Sequence, residues 1–277
     1  MKPTLGLYEK SMPDDLSWVQ KLNAGKRAGF DFLEICIDES DMRLSRLNET
    51  KQERFEILTA TRNTQMYIDT MCLSGHRKYP LGSMNPQIQR QSRIIMEKAI
   101  EYAYDIGVRI IQLAGYDVYY GEISTAASRE CFLENLFKSS RIAARNGIIL
   151  ALETMENDFC NTIEKAMFFV KEVNSPYLKV YPDIGNVTNA TDNVASDIRK
   201  GEGSIVATHL KETMPNVFRN MKFGTGHVDF KAATKILKTI GVMKFTAEFW
   251  YDGGTDWEAH LKIAHDYLKP YLLDDME

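Results

Sequence analysis

Apolar and polar positions along this chain switch between two periods, and the switch recurs eight times. Residues 4–10 (TLGLYEK), 30–38 (FDFLEICID), 66–74 (MYIDTMCLS), 108–116 (VRIIQLAGY), 148–155 (IILALETM), 178–185 (LKVYPDIG), 205–212 (IVATHLKE) and 244–250 (KFTAEFW) are short runs rich in aliphatic and aromatic residues that read as strands. Helix-period segments follow at 17–29, 51–64, 87–107, 127–147, 162–174, 195–203, 229–241 and 257–272. Gly29, Gly107 and the Asn146-Gly147 pair mark helix ends. Alternating β and α units predict a parallel sheet covered by helices. Eight of each in 277 residues favour a (β/α)8 TIM barrel, a single domain over residues 1–277, and no Gly-x-Gly-x-x-Gly supports a dinucleotide fold.

Composition narrows the partners. With 44% hydrophobic residues the chain can bury a sizeable core, and a net charge of −4 argues against a nucleic-acid surface and for a small-molecule partner. Cys36, Cys72, Cys131 and Cys160 form no Cys-x-x-Cys pair and read as free thiols. No apolar run reaches the roughly 20 residues that span a bilayer, and the start of the sequence carries no apolar signal core, so a cytoplasmic protein without membrane contact is expected.

Four strand-like runs in the second half end in potential metal ligands: Glu153, Asp183, His209 and Glu248, spaced by 30, 26 and 39 residues. That is about one βα unit each time, so in a barrel the four would converge at the carboxyl ends of strands, where this fold keeps its active sites. Singly, each has an ordinary explanation. Glu153 could be a strand-end carboxylate, Asp183 a turn residue in Pro-Asp-Ile-Gly-Asn, and His209 a satisfied buried imidazole. Four coincidences at equivalent places favour a shared site instead. Oxygen and nitrogen ligands without thiolate suit Mn²⁺, Mg²⁺, Co²⁺ or Zn²⁺.

The segments LALETM, YPDIGN, HLKET and AEFW, with LGLYEK at the start, IDESDMRLSRL at 37–47, CLSGHRKYPLGS at 72–83 and IQLAGYDVYY at 111–120, resemble the L-ribulose-5-phosphate 3-epimerase family of ascorbate and L-xylulose degradation. That family is similar in turn to the wider xylose-isomerase-like barrels. The resemblance implies that Glu153, Asp183, His209 and Glu248 hold a divalent metal, that the substrate is a sugar phosphate, and that the protein is a homodimer. It also implies metal-dependent interconversion of L-ribulose 5-phosphate and L-xylulose 5-phosphate.

Chemistry supports such a site. The C3 proton of a ketose lies beside the C2 carbonyl and is acidified by a Lewis acid on O2. Glu153 and Glu248 are the expected catalytic pair, one removing the proton to give an enediolate and the other returning it on the opposite face. An aldose-ketose or hexulose-phosphate isomerase on the same metal site is the nearest rival. A barrel phosphodiesterase would need many histidines, whereas this chain has five. A sugar-phosphate sensor without chemistry would be expected to lack one glutamate.

Substrate and phosphate contacts are expected from His76 and Arg77 after the third strand, from Lys211 two residues beyond His209, and from Arg219 and Lys222 in the loop after the seventh strand, where Gly224 and Gly226 could offer amides. Asn186 stands where related free-ketohexose epimerases often carry a histidine, and is a further candidate. Arg43 and Arg46 could line the same rim. Asp229 is expected to cap a helix and His227 to be a loop residue.

Overall fold

A computed structural model describes residues 2–273. Eight strands form one parallel sheet: β1 (Thr4–Tyr8), β2 (Phe32–Ile37), β3 (Tyr67–Leu73), β4 (Ile110–Ala114), β5 (Ile149–Glu153), β6 (Leu178–Tyr181), β7 (Thr208–Leu210) and β8 (Lys244–Ala247). The hydrogen-bonded order runs β6-β5-β4-β3-β2-β1-β8-β7. The two edges, β6 and β7, meet through the isolated parallel bridges Val180↔Ile205 and Asp183↔His209, so the sheet is a nearly closed barrel. At the upper bridge His209 N donates to Pro182 O at 2.9 Å.

The helices are α1 (Trp18–Ala28), α2 (Asp41–Ser45), α3 (Lys51–Thr64), α4 (Pro86–Ile106), α5 (Ala126–Arg145), α6 (Ile163–Val173), α7 (Ile184–Ala190), α8 (Val194–Lys200), α9 (Phe230–Thr239) and α10 (Trp257–Leu273). Local chemistry explains most ends. Ser17, Thr50 and Thr125 build capping boxes, and Gly29 and Gly107 take the left-handed conformation that closes α1 and α4. The sequence pattern missed α2 and α7. Both are short and lie in loops at the carboxyl end of the barrel, where Ser40 and Asp183 cap them. Among the described residues no helix is long and apolar enough to cross a membrane.

Strand alternation sorts side chains into two layers. Leu5, Leu7, Leu33, Ile35, Ile37, Leu150 and Leu152 join the main apolar cluster with helix residues such as Leu22, Ile57 and Ile95. The other face points into the barrel, and there apolar side chains form small separate groups such as Tyr8, Cys36 and Cys72, or Ala151, Tyr181 and Ala207. A period of two therefore sets Glu34, Thr70, Gln112, Glu153, Tyr181, His209 and Thr246 in one polar interior.

Candidate metal centre

Glu153 is the last residue of β5, Asp183 lies two past β6, His209 is the middle of β7, and Glu248 directly follows β8. All four are buried, and one ligand atom from each falls within 4.8 Å of the others. His209 Nδ1 is 2.8 Å from Glu153 Oε1 and 3.3 Å from Glu248 Oε2. Asp183 has a double role. Its Oδ1 caps α7 by accepting from Asn186 N at 2.7 Å, which leaves Oδ2 directed at the cluster.

The donor set fits a divalent cation. Asp183 Oδ2 and Glu248 Oε2 are buried and receive no aligned hydrogen bond, although Lys211 Nζ makes an ion pair with Asp183 Oδ2 at 2.9 Å and stands 3.8 Å from Glu248 Oε2. Three carboxylates gathered at such depth around one lysine and one histidine call for further positive charge. Electrostatics agree. Burial drives Asp183 well above the usual carboxylate range, with Glu248 and Glu153 adding to the rise and Lys211 opposing it. Burial also raises Glu153, against the pull of His209. Burial pushes Glu248 upward too, but Lys211 and His209 more than offset it and leave it lowered. His209 is raised because the Glu34 and Glu248 carboxylates outweigh its burial.

Several expected contacts lie elsewhere. His76 is a correction: it is buried, its Nε2 bonds to Ser92 O at 3.1 Å, and burial lowers its pKa to about 4, so it is a neutral core imidazole rather than an anion ligand. Lys222 is exposed and lines a cavity of about 490 Å³ with Phe249, Trp250, Trp257 and His260. Gly224 N donates to Glu212 Oε2 at 2.8 Å and is committed there. Arg43 and Arg46 are tied to the buried Glu9 at 2.9 and 2.8 Å, which Lys21 joins at 2.7 Å. That ion cluster anchors the loop after β2, and neither arginine is free for substrate.

Lys211 and Asn186 do reach the centre. Lys211 Nζ sits between Asp183 and the side-chain oxygen of Asn186, 2.9 Å away, and Asn186 is itself fixed by donating to Thr154 O at 2.8 Å. Asn186 thus holds Lys211. Arg219 lies on the rim, 3.4 Å from Glu156 and 6.0 Å from the Trp250 ring centre. Arg77 stacks over Tyr119 with its buried Nε unpartnered, and the hydroxyl of buried Tyr116 is unpartnered as well. Asp229 caps α9 and His227 bonds Asn189 from the loop, as expected.

Two site residues escaped the sequence reading. Glu34 on β2 is fully buried and bonds His209 Nε2 at 2.6 Å. Gln112 on β4 is also buried and donates to Glu153 Oε2 through its side-chain amide. Their signal was a single polar residue in the middle of an otherwise apolar strand, Leu-Glu-Ile-Cys and Ile-Gln-Leu-Ala, which is costly unless a partner waits inside.

The chain belongs to the xylose isomerase-like TIM barrel family, whose sequence profile matches residues 22–271. Within it, the chain is similar to the L-ribulose-5-phosphate 3-epimerase UlaE of Escherichia coli K12 and to the same-named protein of Shigella boydii. Each is 40% identical over 266 residues, covering 96% of this chain and 93% of the relative. Solved structures share the fold at lower identity. A D-psicose 3-epimerase with D-tagatose from Clostridium cellulolyticum superposes with a TM-score of 0.82 at 18% identity, over 97% of this chain and 99% of that one. An L-ribulose 3-epimerase gives 0.78 at 18%, over 98% and 95%.

Proposed function

We propose that the protein is a divalent-metal-dependent 3-epimerase that interconverts L-ribulose 5-phosphate and L-xylulose 5-phosphate in the cytoplasm, with Mn²⁺, Zn²⁺, Mg²⁺ or Co²⁺ as its ion. The observation that carries this reading is the convergence of Glu153, Asp183, His209 and Glu248 at one buried point, in a chain 40% identical to proteins of that name. These four residues would hold the ion, which would supply a Lewis acid that polarises the ketose carbonyl and lowers the pKa of the C3 proton.

The remaining work falls to the side chains. Glu153 and Glu248 come from strands three positions apart around the eight-strand barrel, so they approach a bound sugar from different sides. One carboxylate takes the C3 proton, leaving an enediolate, and the other delivers a proton to the opposite face, which inverts C3. Gln112, donating to Glu153, fixes the rotamer from which that proton transfer occurs. Lys211 brings a positive charge beside the oxygens where negative charge develops. Tyr8, packed edge-on to Trp250 with ring centres 6.2 Å apart, gives the pocket an apolar wall that excludes water. Arg77, with its buried unpartnered Nε, is the best-prepared cation for the phosphate.

The test is epimerisation in D₂O by metal-stripped protein, with and without each ion, on L-ribulose 5-phosphate and on free L-ribulose. The expected result is metal-dependent deuterium uptake at C3 that prefers the phosphate ester. Uptake at C1 instead would reassign the chain to an aldose-ketose isomerase, and no uptake with any ion would sink the substrate.

A further inference from the structure

We propose that Glu34 is a positioning residue for the metal centre: it fixes the imidazole of His209 with the proton on Nε2, so that Nδ1 is held bare and aimed at the ion. This rests on the reading of Glu153, Asp183, His209 and Glu248 as ligands. The two ring nitrogens of His209 face different surroundings. Nδ1 points at the cluster, 2.8 Å from Glu153 Oε1 and 3.3 Å from Glu248 Oε2, while Nε2 points down the barrel to Glu34 Oε1 at 2.6 Å.

Glu34 is not a member of the group of ligand atoms that converge, and every contact it makes directs it toward His209 instead. Its second oxygen accepts from Thr70 Oγ1 and from the Tyr181 hydroxyl, both at 2.8 Å, and Tyr181 is steadied in turn by Thr246 Oγ1 at 2.8 Å. The Tyr181 ring also packs against the imidazole, edge-on with centres 4.8 Å apart. Four strands besides β7 therefore converge on the orientation of one side chain: β2 through Glu34, β3 through Thr70, β6 through Tyr181 and β8 through Thr246. Both hydroxyls donate to Oε2, which leaves Oε1 as the acceptor that faces His209 Nε2, the ring nitrogen placed to donate to it. A histidine whose outer nitrogen donates to a carboxylate presents its inner nitrogen as a better and better-aimed donor to a metal.

The experiment measures metal affinity and tautomer rather than turnover. Zn²⁺ is titrated by chelator competition into wild type, Glu34→Gln, Glu34→Leu and Asp183→Asn, and the Co²⁺ absorption spectrum of each is recorded. Glu34→Leu is expected to bind Zn²⁺ roughly 10–100-fold more weakly, with an altered Co²⁺ spectrum, and Glu34→Gln, which keeps an acceptor oxygen, to recover part of the loss. Long-range ¹H–¹⁵N correlation on the Zn²⁺-loaded wild type reads the tautomer directly and needs no variant. A proton on Nε2 is expected, and one on Nδ1 overturns the proposal whether or not Glu34→Leu folds. Wild-type affinity and spectrum in folded Glu34→Leu, with binding lost in Asp183→Asn, would overturn the role of Glu34 alone. Unchanged binding in Asp183→Asn would overturn the ligand set itself.

Discussion

Arg77 shows how much a single side chain can be prepared for a ligand. Its guanidinium is stacked on Tyr119 and its nearest carboxylate, Glu39, is 3.7 Å away, too far for a strong pair. Lys10, Arg43 and Arg46, by contrast, are spent on carboxylates of the chain. Replacing Arg77 with Met is expected to lower kcat/KM for the phosphate ester by about 10–100-fold, the equivalent of one or two charge-assisted hydrogen bonds, and to change turnover of free L-ribulose little. Steady-state kinetics on the two substrates checks this, and equal losses on both would remove Arg77 from the phosphate. The basic triplet at residues 76–78 was visible in the sequence, but its three members were not separable there. His76 bonds Ser92 O across to α4 and Lys78 pairs with Asp41 in solvent, both long-range outcomes of folding.

At the level of elements, the eight strands were legible because each carries the aliphatic run that a strand covered on both faces requires. The convergence of Glu153, Asp183, His209 and Glu248 was legible because the four lie at or close to the carboxyl ends of their strands, a position that recurs at βα-unit spacing. Glu34 and Gln112 were not, since an interior polar residue announces only that a partner exists and never which strand supplies it. Helix α7 was hidden for a related reason: Pro-Asp-Ile-Gly-Asn is equally good as a turn and as a cap. Gly185 within that helix packs closely on the segment that follows β7. A Cβ there would sit 2.5 Å from Lys211 O and 2.7 Å from Thr213 Cγ2, so Gly185→Ala is expected to destabilise the protein by about 1–3 kcal/mol. Urea unfolding measures it, and no change in midpoint would mean that the loop yields without strain.

Across the whole molecule, a buried histidine outside the metal centre links stability to pH. His76 keeps a pKa of about 4 in the fold against an ordinary 6.5, because burial disfavours its charged form. Well above pH 6.5 it is neutral in both folded and unfolded chains and contributes no pH dependence. As the pH falls toward 4 the unfolded chain binds a proton that the folded one refuses, and stability drops by up to about 3 kcal/mol. Urea unfolding of wild type and His76→Asn at pH 7.5 and 4.5 isolates this contribution. The variant should lose less stability on acidification, and parallel losses would show that other groups set the acid limit.

The bridge between Asp183 and His209 gives the cylinder an unusual join. The first and last strands, β1 and β8, are zipped together over four paired residues, so the seam of the barrel is not between them. It is fastened in mid-sequence, between β6 and β7, and at its mouth the two residues that bridge the gap are two that would share the ion. An ion gripped from both sides of that slit would be a clasp as well as a reagent: loading the site for chemistry and latching the wall would be one event, and a chelator that removed the ion would loosen the join as it silenced the reaction.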